Sequence, residues 1–246
     1  MQPFTSGDRL PNAPKLPIRT LIALHACALH YHFPERTMST EKLIEGYRTF
    51  KETTFKRDQE TYKSLATSGQ QPKVLIIGCS DSRVSPSVVL GVKPGEVFQA
   101  RNIANIVPAY RKNPGPRSIG AVVEFAVKVL KVNDIVIKGH ARCGGVEALV
   151  NRASNLPETE YLEPWVEVAA PARARLPRNF DSLAPDKQRL AAELAVIRNS
   201  MNNLETYPWV KDGMDAGTLQ IHGWHFDFET GILLRYEEKL NDWVDV

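Results

Sequence analysis

Two short stretches of this sequence carry residues able to hold a metal ion. One is Gly78-Cys79-Ser80-Asp81-Ser82-Arg83; the other is Gly139-His140-Ala141-Arg142-Cys143-Gly144-Gly145. Together they offer two thiols, an imidazole, a carboxylate and a guanidinium. Thiolate and imidazole are the donors that zinc selects, and three protein ligands leave the fourth tetrahedral position free. Cys79, His140 and Cys143 are therefore the candidate ligands of a catalytic zinc, one ion per chain. Two readings compete. Free cysteines are often buried as small apolar groups, but these two stand beside charged and Gly-rich residues. A closed structural site wants four protein ligands, mostly thiolate, and the remaining cysteine, Cys27, lies in an N-terminal arm of different composition.

Asp81 and Arg83 are two residues apart, so in an extended segment their side chains point the same way. Asp81 is near enough to become a zinc ligand if the site closes, and a charge-assisted bond from Arg83 would hold it off the metal. Held there, it can accept a hydrogen bond from zinc-bound water. The plain alternative is a loop salt bridge. Cys143 precedes Gly144-Gly145 at a predicted helix start, where the dipole and free N–H groups favour a thiolate. The two glycines let backbone approach the metal. His222 and His225 read as satisfied structural histidines.

Both stretches begin where strand-type runs stop. Residues 73–77 feed the first and 134–138 the second, and Val/Ile-rich runs of this length suit central parallel strands buried on both faces. In an open α/β sheet the ligand crevice lies beyond the carboxyl ends of such strands. The fold class predicted is α/β: a mostly parallel sheet flanked by helices, with an N-terminal helical arm and a C-terminal β-hairpin.

Along the chain, residues 1–37 form an extension to a domain at 38–246. Its first part is Pro-rich and aperiodic, as in a flexible or non-native tail. Lys15 and Arg19 before an apolar stretch, with Ala26 and Ala28 spaced as at a cleavage site, make a signal peptide the competing reading. From Met38, Ser39 or Thr40 caps a helix over 41–64. A short helix is predicted at 87–90 behind Pro86 and a strand at 96–102, with 103–116 irregular. A buried helix spans 118–131, and another follows Cys143. Further helices are placed at about 161–176 and 186–203. A last parallel strand is expected at 218–223, then a hairpin of 224–228 with 232–237.

The 246 residues suffice for one domain with appendages. A net charge of +3 is too small to argue for nucleic acid or an anionic membrane, and no apolar run approaches the length of a bilayer span. Three cysteines, two better used as thiolates than as a disulfide, favour a reducing, cytoplasmic setting, with export as the outcome if residues 15–28 act as a signal.

The chain resembles the β-class carbonic anhydrases of the plant-like, open-site type, over about residues 41–238. The resemblance is carried by Cys-Ser-Asp-Ser-Arg at 79–83, Arg101-Asn102-Ile103-Ala104-Asn105, His140-x-x-Cys143-Gly-Gly and Ile221-His222-Gly223-Trp224. It implies reversible hydration of carbon dioxide to bicarbonate and a proton, zinc on Cys79, His140 and Cys143, and Asp81 with Arg83 as the catalytic pair. It also implies a substrate pocket of Gln70, Phe98, Phe125, Val84 and Gly144, and a homodimer or dimer-based tetramer in which Gln70 and Phe98 cross the interface. Two positions depart from related patterns. Phe125 stands where plant-like members carry tyrosine, and Ile76 where the bicarbonate-inhibited subclass carries tryptophan. The alternatives are a CS2 or COS hydrolase on the same scaffold and a catalytically silent zinc- or bicarbonate-binding module.

Overall fold

The computed structural model describes residues 38–115, 117–151 and 159–246. The extension at 1–37, with Cys27 and the signal-like segment, lies outside the described residues. The chain divides into two compact units, one ending at Arg57 and the other running from Asp58 to Val246.

In the first unit, α1 (Thr40–Phe50) starts at Ser39, whose hydroxyl accepts the Lys42 amide at 3.3 Å. A wider turn over Lys51–Phe55 prolongs it. In the second unit, α2 (Gln59–Ser68) ends at Gly69, where φ of +75° needs a residue without a Cβ. One helix predicted over 41–64 is thus two segments, and the second runs to Ser68.

Among the described residues, six strands form one sheet in the order β2-β1-β3-β4-β5-β6. They are β1 (Val74–Cys79), β2 (Val97–Asn102), β3 (Asp134–His140), β4 (Gln220–Phe226), β5 (Leu233–Glu237) and β6 (Asp242–Asp245). The first four in this order are parallel and β5 and β6 antiparallel. The predicted hairpin therefore shares its first strand with the last parallel strand. β4 pairs along its whole length with β3, and its end, Trp224–Phe226, also pairs with β5. No break falls at Gly223, which pairs with Ile137 like its neighbours.

From β1 the chain goes to β2 on one side and then to β3 on the other, which makes the β1/β3 boundary a topological switch point. Leu75, Ile77, Ile135 and Ile137 on these central strands are fully buried, as their unbroken apolar runs require. The predicted helix after Pro86 is α3 (Pro86–Val89). That over 118–131 is α4 (Ser118–Glu124), continued by a wider turn to Leu130 and ended by left-handed Lys131. Then come α5 (Gly144–Asn151), α6 (Leu162–Glu167), α7 (Pro185–Glu205) and α8 (Pro208–Asp215). α7 lies so close to the sheet that a Cβ on Gly139 would come 2.6 Å from the Ile197 side chain, and one on Gly223 2.6 Å from Met201.

Candidate metal centre

The register pairs Gly78 with Lys138, so Cys79 and His140 leave neighbouring strands near the same level. Cys143 follows a sharp reversal in which Arg142 adopts φ of +55°. The three candidate ligands meet. Their donor atoms all lie within 4.8 Å of one another, and all three residues are buried. The sulfurs are 3.9 Å apart. Two zinc–sulfur bonds of about 2.3 Å at a tetrahedral angle require roughly 3.8 Å, so the pair is already spread for a metal and too far apart for a disulfide.

The imidazole is preset. His140 Nδ1 is 2.8 Å from the Ala141 carbonyl, which can only accept, so the proton sits on Nδ1. Nε2 is left as a buried lone pair without a protein partner. Such an atom costs stability unless something fills its place. The thiols answer the same need. A bond from Cys143 pulls the Cys79 thiol down to about 4, while that contact and burial push Cys143 up. A cation there takes both sulfurs as thiolates, so its binding releases protons. Soft donors, spacing and an idle nitrogen fit zinc.

Each ligand is held from behind. Arg101 on β2 donates from Nε to the Cys79 carbonyl at 2.9 Å and from Nη2 to the Asp81 carbonyl at 2.6 Å. The Cys143 amide donates at 3.1 Å to Glu193 on α7, whose other carboxylate oxygen lies 2.8 Å from His225 Nε2. Glu193 and His225 are both buried, so His225 is the structural histidine predicted, with a task at the site. The Cys143 carbonyl accepts the Val146 and Glu147 amides that open α5. Its backbone is therefore fixed on both sides. Gly145 serves packing, since a Cβ there would meet Ile103 at 2.5 Å, whereas one on Gly144 would face open space.

After β1 the chain enters a tight turn over Ser82–Val84, and Asp81 caps it by accepting the Arg83 amide at 3.0 Å. The Arg83 guanidinium grips the same carboxylate along one edge with two bonds, Nε to Oδ1 at 2.9 Å and Nη2 to Oδ2 at 2.7 Å. That grip holds Asp81 well below the usual carboxylate range. Oδ2 stands 4.0 Å from His140 Nε2, at the edge of the ligand cluster. Val84 is buried against Cys79 and Cys143, and its carbonyl accepts a 3.0 Å bond from Lys138. Burial holds that lysine down, to about 8.

Val84 and Gly144 thus lie with the ligands, and Gln70, Phe98 and Phe125 do not. Phe98 pairs with Leu75, four residues before Cys79 on β1, or about 13 Å at 3.3 Å per residue. It packs on Phe125, ring centroids 5.7 Å apart. Gln70 precedes β1 altogether and is exposed. Within one chain these three cannot edge the pocket that holds the ligands. The sequence assigns no site role to Arg101, Glu193 or Phe228, whose partners Cys79, Cys143 and Arg83 lie 22, 50 and 145 residues away.

Comparison with known proteins agrees with this geometry. Residues 74–233 match the family model described as carbonic anhydrase. Beta carbonic anhydrase 3 of Arabidopsis thaliana is 37% identical over 195 residues, 78% of this chain and 75% of that protein. The solved β-carbonic anhydrase CcaA superposes with a TM-score of 0.78 at 31% identity, covering 84% of this chain and 91% of that one. A structure from Sordaria macrospora, reported with a second as tetrameric β-carbonic anhydrases, gives 0.69 at 28%, covering 83% and 98%. With a zinc-shaped donor set at the switch point of such a sheet, and a family match spanning β1 to the start of β5, the chain belongs to the β-class carbonic anhydrases.

Proposed function

We propose that the protein hydrates carbon dioxide reversibly to bicarbonate and a proton, with one zinc ion on Cys79, His140 and Cys143 and with Asp81 and Arg83 as the catalytic pair. The observation that carries this is the buried trio of donor atoms with its idle His140 Nε2. Zinc bound there supplies Lewis acidity, which brings the pKa of a coordinated water toward the neutral range. The protein supplies orientation. Asp81 remains ionised over the working range, and Oδ2, which accepts once from Arg83, keeps a lone pair for the attacking water. Arg83 holds that carboxylate away from the metal. Val84 gives the small, apolar substrate a dry wall.

The rest of the pocket is assigned to a second subunit. Gln70 and Phe98 stand away from their own ligands, and on this reading they edge a neighbour's site, with Phe125 packed on Phe98. There the Gln70 amide would donate to a substrate oxygen as charge develops. A homodimer, or a tetramer built from dimers, follows. Exposed Leu43, Ile44 and Tyr47 on α1 offer it apolar surface. Two close thiols that must stay unoxidised suit the cytoplasm.

Stopped-flow hydration with metal analysis tests the reading. The wild type is expected to carry one zinc per chain and turn over carbon dioxide, and Cys143→Ser to lose most of both. A zinc-loaded, folded wild type without hydration would overturn the activity. Full zinc in Cys143→Ser would remove that ligand.

A further inference from the structure

The turn between β4 and β5, residues 227–232, grips both loops that carry the site. It is tightly built. Asp227 N donates to the Ile232 carbonyl at 2.9 Å, Gly231 N to the Asp227 carbonyl at 2.8 Å, and Glu229 N to Asp227 Oδ1 at 2.8 Å. From this base Glu229 pairs with Arg142 at 3.0 Å, in the loop between His140 and Cys143. Phe228 lies under Arg83, with the guanidinium carbon 4.2 Å from its ring centroid, and reaches the His140 ring at 6.3 Å.

The two uses of Arg83 do not compete. A guanidinium stacks through its face and hydrogen-bonds through its edge. Phe228 takes the face, and Asp81 takes the edge. The stack matters because the Arg83 side chain is 48% exposed. Beyond Asp81 its recorded polar contact is a 3.4 Å bond to the Arg142 carbonyl. A long, half-exposed side chain tied only at its tip is free to swing, and the ring removes that freedom. If Arg83 swings, Asp81 loses its clamp 4.0 Å from the nitrogen that faces the metal position.

We infer that Phe228 is a positioning residue for the catalytic pair: its ring fixes the plane of Arg83, which keeps Asp81 bonded to Arg83 and off the metal. A cation stacked on such a partly buried ring shifts the balance between clamped and released carboxylate by roughly 2- to 30-fold. The effect belongs in turnover and in metal coordination, not in metal content. The inference rests on the zinc reading of the site, so metal content is measured separately.

The test compares Phe228→Leu, which keeps apolar bulk without a ring face, with Phe228→Tyr, which keeps the ring. Zinc per chain, hydration, and the visible absorption of the cobalt(II)-substituted protein are recorded for both and for Arg83→Ala. The expected result is full metal content in all. Phe228→Leu should lose several-fold in kcat, with its cobalt spectrum displaced toward that of Arg83→Ala. Phe228→Tyr should recover both. A wild-type spectrum and turnover in Phe228→Leu would overturn the inference, and so would equal losses in Leu and Tyr, which would mark packing alone. Metal loss confined to Phe228→Leu would also overturn it, by showing that the ring serves His140 instead. A wild type that takes up no metal would sink the zinc reading.

Discussion

Asp81 Oδ2 stands 4.0 Å from His140 Nε2, and on the proposed reading Arg83 keeps it from binding the metal. An unpaired carboxylate beside Zn2+ is drawn into coordination, and the bidentate grip of Arg83 supplies the competing attraction. Arg83→Ala should therefore retain one zinc per chain while hydration falls by about 10²-fold or more, the usual scale for losing a placed acid–base or polar group. Metal analysis beside stopped-flow rates checks this. Undiminished turnover would reduce the pair to a loop salt bridge. At this scale the sequence was most legible for the ligands, because two cysteines and a histidine at strand ends declare their chemistry by type. It was least legible for Glu193 and Phe228, whose roles come from partners distant in the chain. Nothing near residue 193 shows that its carboxylate will meet the Cys143 amide.

The elements that deliver these side chains were legible where one physical signal dominated. Val and Ile runs marked β1 and β3, and Pro86 marked a helix start. Two elements escaped. α8 contains Gly213, which lowers helix propensity by roughly 1 kcal/mol against alanine. A Cβ there would stand 3.0 Å from that of Leu219, a contact no local pattern reveals. β6 is four residues long with an aspartate at each end, and is defined by pairing with β5. The long helix α7 holds the layers together by lying on glycines. Gly139→Ala should crowd Ile197 and destabilise the fold by about 1–3 kcal/mol, read as a lower urea midpoint. An unchanged midpoint would show that the Ile197 side chain yields freely.

At the scale of the whole molecule, the proposed pocket draws on residues that stand away from the ligands of their own chain. Phe98, with Phe125 packed on it, stands toward one end of the strands while the ligands gather at the other. Sedimentation should accordingly show a dimer or tetramer, with Gln70→Ala lowering turnover while leaving assembly and zinc unchanged. An active monomer would refute this. Residue types alone do not say which copy of the chain Gln70 and Phe98 serve; only the family resemblance carries them across an interface.

The position of the ligands along the chain has a consequence of its own. Cys79 and Cys143 are 64 residues apart, and the stretch between them holds β2, α4 and β3. An ion on both sulfurs acts as a reversible cross-link that closes this loop. A permanent bridge of such span restricts the unfolded chain by roughly 4 kcal/mol, and a metal that binds only the folded form stabilises it further by mass action. Chelation should therefore lower the melting temperature, most at low free zinc, and re-addition should restore it. A melting temperature indifferent to chelation would mean that the sheet holds its two halves in place unaided. Otherwise the same ion turns substrate over and sets how long each molecule survives heat.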